Sequence, residues 1–243
     1  MHGFANPARF LRLARVLTMP LLIVGVLLAA ASLLWGMLGA PPEKLQGDSV
    51  RILFVHVPAA WLGMGAWSAI ALASLIELVW RHPLAGIAAR AIALPGAFFA
   101  ALCLLTGSLW GRPAWGAWWV WDGRLTSMLV LFFLYCAYIA LADAATRDGQ
   151  ASSRIPSIFG LVGAVNIPII HYSVLWWNSL HQPPSISMGK SEMAPEFLWG
   201  LLAATLGFSL IFGAVVLMWM RAILADQQAE ARLRRRAMEG ADV

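Results

Sequence analysis

Leu125 to Ala145 reads LTSMLVLFFLYCAYIALADAA, an apolar run whose one carboxylate, Asp143, stands near its far end. It matches the ~20 residues that a helix needs to cross a ~30 Å hydrocarbon layer. Similar runs cover Pro20 to Leu38, His56 to Trp80, Ala91 to Leu109, Ile155 to Tyr172 and Phe197 to Met220. With 60% hydrophobic and 12% charged residues, and a mean hydropathy of +0.74, the chain would aggregate as a soluble globule. The expected fold is therefore an all-α integral membrane protein with six transmembrane helices in a single domain over residues 1–243. Asn166 and Pro168 interrupt the fifth run. Because neighbouring helices can satisfy freed backbone groups, a kink is expected there rather than a break. No alternation of period two suggests a barrel, and no internal repeat is evident.

Orientation follows from the bias of Lys and Arg toward the cytoplasm. Arg9, Arg12, Arg15, Arg81, Arg90, Arg147, Arg154, Arg221, Arg232 and Arg234 to Arg236 fall on one side, against Lys44, Arg51, Arg112, Arg124 and Lys190 on the other. Both termini are expected in the cytoplasm, with a basic tail over residues 221–243. The connections over residues 39–55, 110–127 and 173–196 are then outside. The net charge of +5 reflects this topology and does not point to nucleic acid. The first run could pass for a secretory signal, but it is long for one, and its loss would leave an odd number of spans. It reads as a retained helix.

Directly ahead of Leu125 stands WGRPAWGAWWVWD, which gathers Trp110, Trp115, Trp118, Trp119 and Trp121. Indoles are enriched at membrane edges as a belt, yet a belt spreads over many helix ends. Concentration in one connection points instead to a stacking wall for a planar ligand. Asp122 suits two roles: capping the fourth helix, or orienting the tryptophan segment by accepting N–H groups. Cys103 and Cys136 lie in spans without a CxxC or CxxCH pattern, so they read as packing residues. No phosphate-binding GxxxxGK[ST] loop occurs, which excludes ATP hydrolysis by this chain. Glu77, near the cytoplasmic end of its span, is expected to snorkel or pair with Arg81.

His2 and His82 fall on the cytoplasmic side, whereas His56, His171 and His181 fall outside. His56 opens the second span in FVHVPAAW, with Pro58 suited to a first helical turn. His181 stands in WWNSLHQPP; a helix there would set Trp177 one turn before it, and Pro183 and Pro184 would end that helix. Two imidazoles from different connections can approach opposite faces of an iron porphyrin while indoles cover its plane. A zinc site from the three histidines is the alternative, although it lacks helical ligand spacing. Arg51, Arg112 and Arg124 could meet carboxylates of such a ligand.

The run WGAWWVWDGRLTS, Trp115 to Ser127, resembles the tryptophan-rich signature of the WWD superfamily of haem-handling proteins. With FVHVPAAW and WWNSLHQP on either side, most of the chain is similar to the CcmC family of the cytochrome c maturation system. The resemblance implies a haem-handling protein rather than an enzyme, in the bacterial inner membrane. It would bind haem b transiently at the outer face and present it to the haem chaperone CcmE for covalent attachment. The implied partners are CcmE, the ABC transporter CcmA/CcmB, the small membrane protein CcmD and the lipid bilayer. Carried over by position, the axial ligands of the haem iron fall on His56 and His181, and the remaining haem contacts on Trp115, Trp118, Trp119, Trp121 and Asp122. His171 lies outside the matched positions and is expected to pack or hydrogen-bond locally. Ala117 and Gly123 stand where relatives often carry Thr and Ala, and neither change removes a ring. Two other functions fit a haem-binding membrane bundle: an electron-transfer subunit of the b-type cytochrome kind, and a haem transporter subunit. The first usually pairs histidines inside the bundle, and the second would show midplane ionisable groups.

Overall fold

A computed structural model describes residues 6–147, 154–177, 179–181, 186–187 and 190–241. Among these, six helical segments are long and apolar enough to cross a membrane, and the protein is a multi-pass membrane protein. Helix α1, Pro7–Leu34, is capped by the Asn6 side chain, which accepts the Ala8 N–H at 2.9 Å. It continues into a widened turn, Trp35–Gly39. A tight turn over Asp48–Ile52 leads into α2, Leu53–Trp80, and α3 covers Ala85–Trp115. Helix α4 spans Gly123–Arg147 and α7 spans Pro195–Ala241. Two-residue strands β1, Ile186–Ser187, and β2, Lys190–Ser191, pair antiparallel before α7.

The fifth crossing is made of α5, Ile155–Gly163, and α6, Asn166–Trp176. Pro168 has no N–H to give the Ala164 carbonyl, which instead accepts Ile167 N–H at 3.1 Å. Ala164 and Val165 keep right-handed helical angles, so the interruption between the two helices is a two-residue turn and not a loop. Asn166 braces this junction by donating its side-chain N–H to the Ser127 carbonyl of α4 at 2.9 Å.

Small residues bring the helices together, as membrane packing requires without a hydrophobic drive. Helix α1 meets α7 where a Cβ on Gly207 would stand 2.6 Å from the Ala29 nitrogen, and one on Gly25 2.9 Å from the Gly207 carbonyl oxygen. The centre of the bundle is aromatic: Trp67 packs edge-on to Tyr135 at 4.8 Å, and the Tyr135 hydroxyl donates to Gly63 O at 2.7 Å. Around this core α1 presents Val16, Ile23 and Leu27 outward, as a lipid-facing helix should. Two smaller clusters close the ends. Val50, Phe54, Phe197 and Leu201 pack with Trp110 at one, and Leu84, Ile87, Met220 and Leu224 with Phe10 at the other.

Several sequence expectations change. Helix α2 begins at Leu53 rather than His56, because the turn over Asp48–Ile52 feeds directly into it, so Pro58 sits in its second turn. Glu77 does not pair with Arg81; its carboxylate accepts the Ser157 hydroxyl and packs over Gly86, where helices α2, α3 and α5 meet. Arg81 itself adopts a left-handed conformation that ends α2. Cys103 is buried, whereas Cys136 is exposed on α4. His2, Pro183 and Pro184 lie outside the described residues.

Candidate functional site

The tryptophan segment is not one loop. Helix α3 runs through Pro113, so Trp110 and Trp115 occupy its last turns. The helix ends at Gly116, whose φ of 78° is readily available only without a side chain. Gly116 N–H caps the Arg112 carbonyl at 3.1 Å, and the Arg112 guanidinium returns a bond to the Gly116 carbonyl. Only 116–122 form the connection, which Ser108 holds by donating to Trp118 O at 2.8 Å. There Trp119 and Trp121 meet edge-on at 5.4 Å, and Trp118 and Trp121 are 55% and 75% exposed. The Trp119 indole N–H is buried without a hydrogen-bond partner among the described residues.

Asp122 takes the first of the two roles considered for it, and in place of the second its carboxylate meets Ser179 and His181 rather than the N–H groups of the tryptophan segment. Its Oδ1 accepts Leu125 N–H at 2.7 Å, capping α4. Its Oδ2 accepts the Ser179 hydroxyl and lies 3.0 Å from Nδ1 of His181. Burial would raise the Asp122 pKa, but the bonds from Ser179, Leu125 and His181 outweigh it and hold the carboxyl below its usual range. The ionised acceptor sets the His181 tautomer: Nδ1 carries the proton, and Nε2 keeps its lone pair. Burial also lowers the His181 pKa, opposed by Asp122 and assisted by Arg124, so the ring is neutral at pH 7.

His181 is not on a helix. Trp177 is extended, at φ −126° and ψ 151°, so α6 stops at Trp176 and the expected one-turn spacing from Trp177 does not arise. What aims the ring is tertiary: Asp122 on one side and Trp115, edge-on at 4.7 Å, on another. Ser179 also accepts His181 N–H at 3.1 Å. Trp177 folds back over Gly123, where an added Cβ would stand 2.8 Å from its ring.

His56 is fixed in the same sense by different groups. Its Nδ1 lies 3.1 Å from the Cys103 carbonyl and 3.1 Å from the Thr106 hydroxyl. That hydroxyl donates to Leu102 O at 2.7 Å, which leaves its oxygen free to accept. The His56 ring packs edge-on to Trp110 at 5.6 Å. Both imidazoles thus sit at the Trp110–Trp115 end of α3, each with Nδ1 engaged and Nε2 without a partner among the described residues. His171 does not join them: it is exposed, packs on Tyr172 at 4.8 Å, and its carbonyl accepts from Arg124 at 3.3 Å. Among the described residues no three metal-ligating side chains gather, so the three-histidine zinc arrangement is not assembled there.

Of the three arginines, Arg51 is engaged with Asp48 at 3.1 Å and with the carbonyls of Met37 and Ala40. Arg112 holds Gly116, whereas Arg124 lies close enough to Asp122 and His181 for its charge to act on both.

The family model described as heme exporter protein C matches residues 1–235. The chain belongs to the heme exporter protein C family. Heme exporter protein C of Bradyrhizobium diazoefficiens is 49% identical over 219 residues, covering 89% of this chain and 82% of its own length. That of Escherichia coli strain K12 is 43% identical over 227 residues, covering 92% and 90%. That of Paracoccus denitrificans is 37% identical over 235 residues, covering 96% of each. Within this heme exporter protein C fold, Ser179 and Thr106 support the histidines but did not stand out in the sequence. A hydroxyl two residues before His181 was the available signal for Ser179. Thr106 gave none, since its partner lies 50 residues away.

Proposed function

We propose that this chain binds haem at the tryptophan end of the bundle, on the outer face of the bacterial inner membrane, and presents it to the chaperone CcmE for covalent attachment. The observation that carries the reading is the pair of imidazoles with Nδ1 engaged and Nε2 available, beside exposed indoles. An imidazole ligates iron through an unprotonated nitrogen, and a partner on the other nitrogen fixes the tautomer and raises basicity. The donor set therefore suits a haem iron held by His56 and His181. Trp115, Trp118, Trp119 and Trp121 would cover the porphyrin plane, at about 25 cal/mol per Å² of apolar surface removed from water. The unpartnered Trp119 N–H supplies a donor for a polar group of the cargo, and Arg124 is the arginine placed to neutralise a propionate.

The relatives carry haem export in their name, which supports haem as the cargo; haem b, held transiently, is the form proposed. The name also supports a handling role rather than catalysis. CcmA/CcmB and CcmD complete the proposed assembly, with the basic end of α7 on the cytoplasmic side.

Purified protein from haem-replete cells tests the reading. A low-spin bis-imidazole spectrum that weakens in His56→Ala and in His181→Ala is expected, together with loss of covalent haem on CcmE. A colourless wild type would overturn the haem site. Intact haem loading of CcmE alongside lost quinone-linked electron transfer would favour a b-type cytochrome.

A further inference from the structure

The first connection is tied to one of the two imidazoles through a single indole. Between Ala40 and Asp48 the chain reads PPEKLQG. Glu43 folds it into a compact turn: its carboxylate accepts Leu45 N–H at 2.8 Å and Gln46 N–H at 2.9 Å, while Glu43 and Gly47 pair through their backbones. Ser49 then donates to the Gln46 carbonyl at 2.7 Å. This leaves Gln46 with a fixed backbone and a side chain directed at the bundle, where its Oε1 accepts the Trp110 indole N–H at 2.8 Å. Trp110 in turn stands edge-on to His56 at 5.6 Å. At the tip of the same turn Leu45 is 90% exposed.

The two imidazoles also differ in what backs them. His181 has the Asp122 carboxylate behind Nδ1, whereas His56 has a carbonyl and a hydroxyl. An ionised acceptor makes the opposite nitrogen the more basic donor, so His56 is the weaker ligand of the pair. Release of a ligand held at two points begins at the weaker one. The ring that limits the swing of His56 is Trp110, and Gln46 holds Trp110.

We infer that Gln46 and Trp110 are positioning residues for His56, so that the 41–47 turn governs how firmly the weaker side of the site retains its haem. This rests on the haem reading above.

The test compares Gln46→Leu, Trp110→Phe and Gln46→Glu in haem-loaded protein, following spin state and haem loss to apomyoglobin. Gln46→Leu removes the hydrogen bond while nearly keeping bulk, Trp110→Phe removes the hydrogen bond and part of the ring, and each should speed haem loss about fivefold or more and raise the five-coordinate fraction. Gln46→Glu keeps an acceptor oxygen and should behave as wild type. In a His56→Ala background Gln46→Leu should have no further effect, because the residue it positions is gone. In the haem-free protein, the Trp110 indole N–H should exchange with solvent faster in Gln46→Leu than in wild type. Unchanged haem loss in Gln46→Leu, or an equal acceleration in the His56→Ala background, overturns this inference alone. A wild type that binds no haem overturns the haem reading as well.

Discussion

Oδ2 of Asp122 lies 3.0 Å from Nδ1 of His181, joining the end of the tryptophan connection to the last connection of the chain. One carboxylate thereby caps a transmembrane helix, takes the Ser179 hydroxyl and aims an imidazole. Asp122→Asn keeps one acceptor oxygen of the two, enough for the cap or for His181 but not for both, and loses the charge. Asp122→Ala loses all three contacts. Haem affinity should fall in the order wild type, Asn, Ala, with Ala weaker by about 10–100-fold, the range for removing the partner of a metal-binding histidine. Equilibrium titration of the three proteins checks the order, and equal affinity for wild type and Ala would remove Asp122 from the site.

The pH dependence has a definite sign. His181 has a folded pKa below its ordinary 6.5, chiefly through burial. As pH falls past 6.5 the unfolded chain takes up a proton that the folded chain refuses. Stability is therefore fully present above 6.5 and declines as pH is lowered toward the folded pKa. Ligation through Nε2 survives in the same window, since the ring stays neutral. Haem binding should thus persist below pH 6.5 and fail only as the pH nears the lowered folded pKa. In Asp122→Asn the groups that raise the His181 pKa are weakened, so the acid edge should move further down even as affinity at pH 7 drops. Titration of the haem spectrum from pH 8 downward shows whether the edge moves that way or up.

Much of this architecture is legible in composition. Long apolar runs in a chain with few charges have one stable solution in lipid, and six crossings followed. That the fifth crossing is disturbed ahead of Pro168 was equally legible, because a missing N–H has a local consequence, although the structure divides it into two helices. Helix ends were less so. Helix α3 continues through Pro113 to Trp115 although that proline forfeits one backbone hydrogen bond, and Gly116 supplies the stop. The tertiary contacts of the site were not legible at all. Asp122 meets His181, and Thr106 meets His56, across long stretches of chain that no local pattern connects.

The α1–α7 contact predicts which glycine the fold cannot lose. A Cβ at Gly207 would stand 2.6 Å from the Ala29 nitrogen, and backbone cannot yield as a flexible side chain does. Gly207→Val should separate the two helices at a cost of about 1–3 kcal/mol. Gly213, on the same helix, has nothing within 4 Å of its added Cβ, so Gly213→Ala should be neutral or slightly stabilising. Thermal unfolding in detergent, with both variants beside wild type, checks the contrast; equal melting of the two would mean that α1 does not pack here.

The sidedness of the site is open to direct chemical mapping. The arginine asymmetry predicts that the tryptophan end lies outside and the end of α7 in the cytoplasm. Leu45, Trp121 and Met238 are 90%, 75% and 65% exposed, so a cysteine at each should be reachable. Cys103 is buried and Cys136 is exposed on α4, so a Cys136→Ser background removes the accessible native thiol. In spheroplasts, a membrane-impermeant maleimide should label Leu45→Cys and Trp121→Cys but reach Met238→Cys only after lysis. The reverse pattern would put both histidines on the cytoplasmic side, where handover to an outer-face chaperone is impossible.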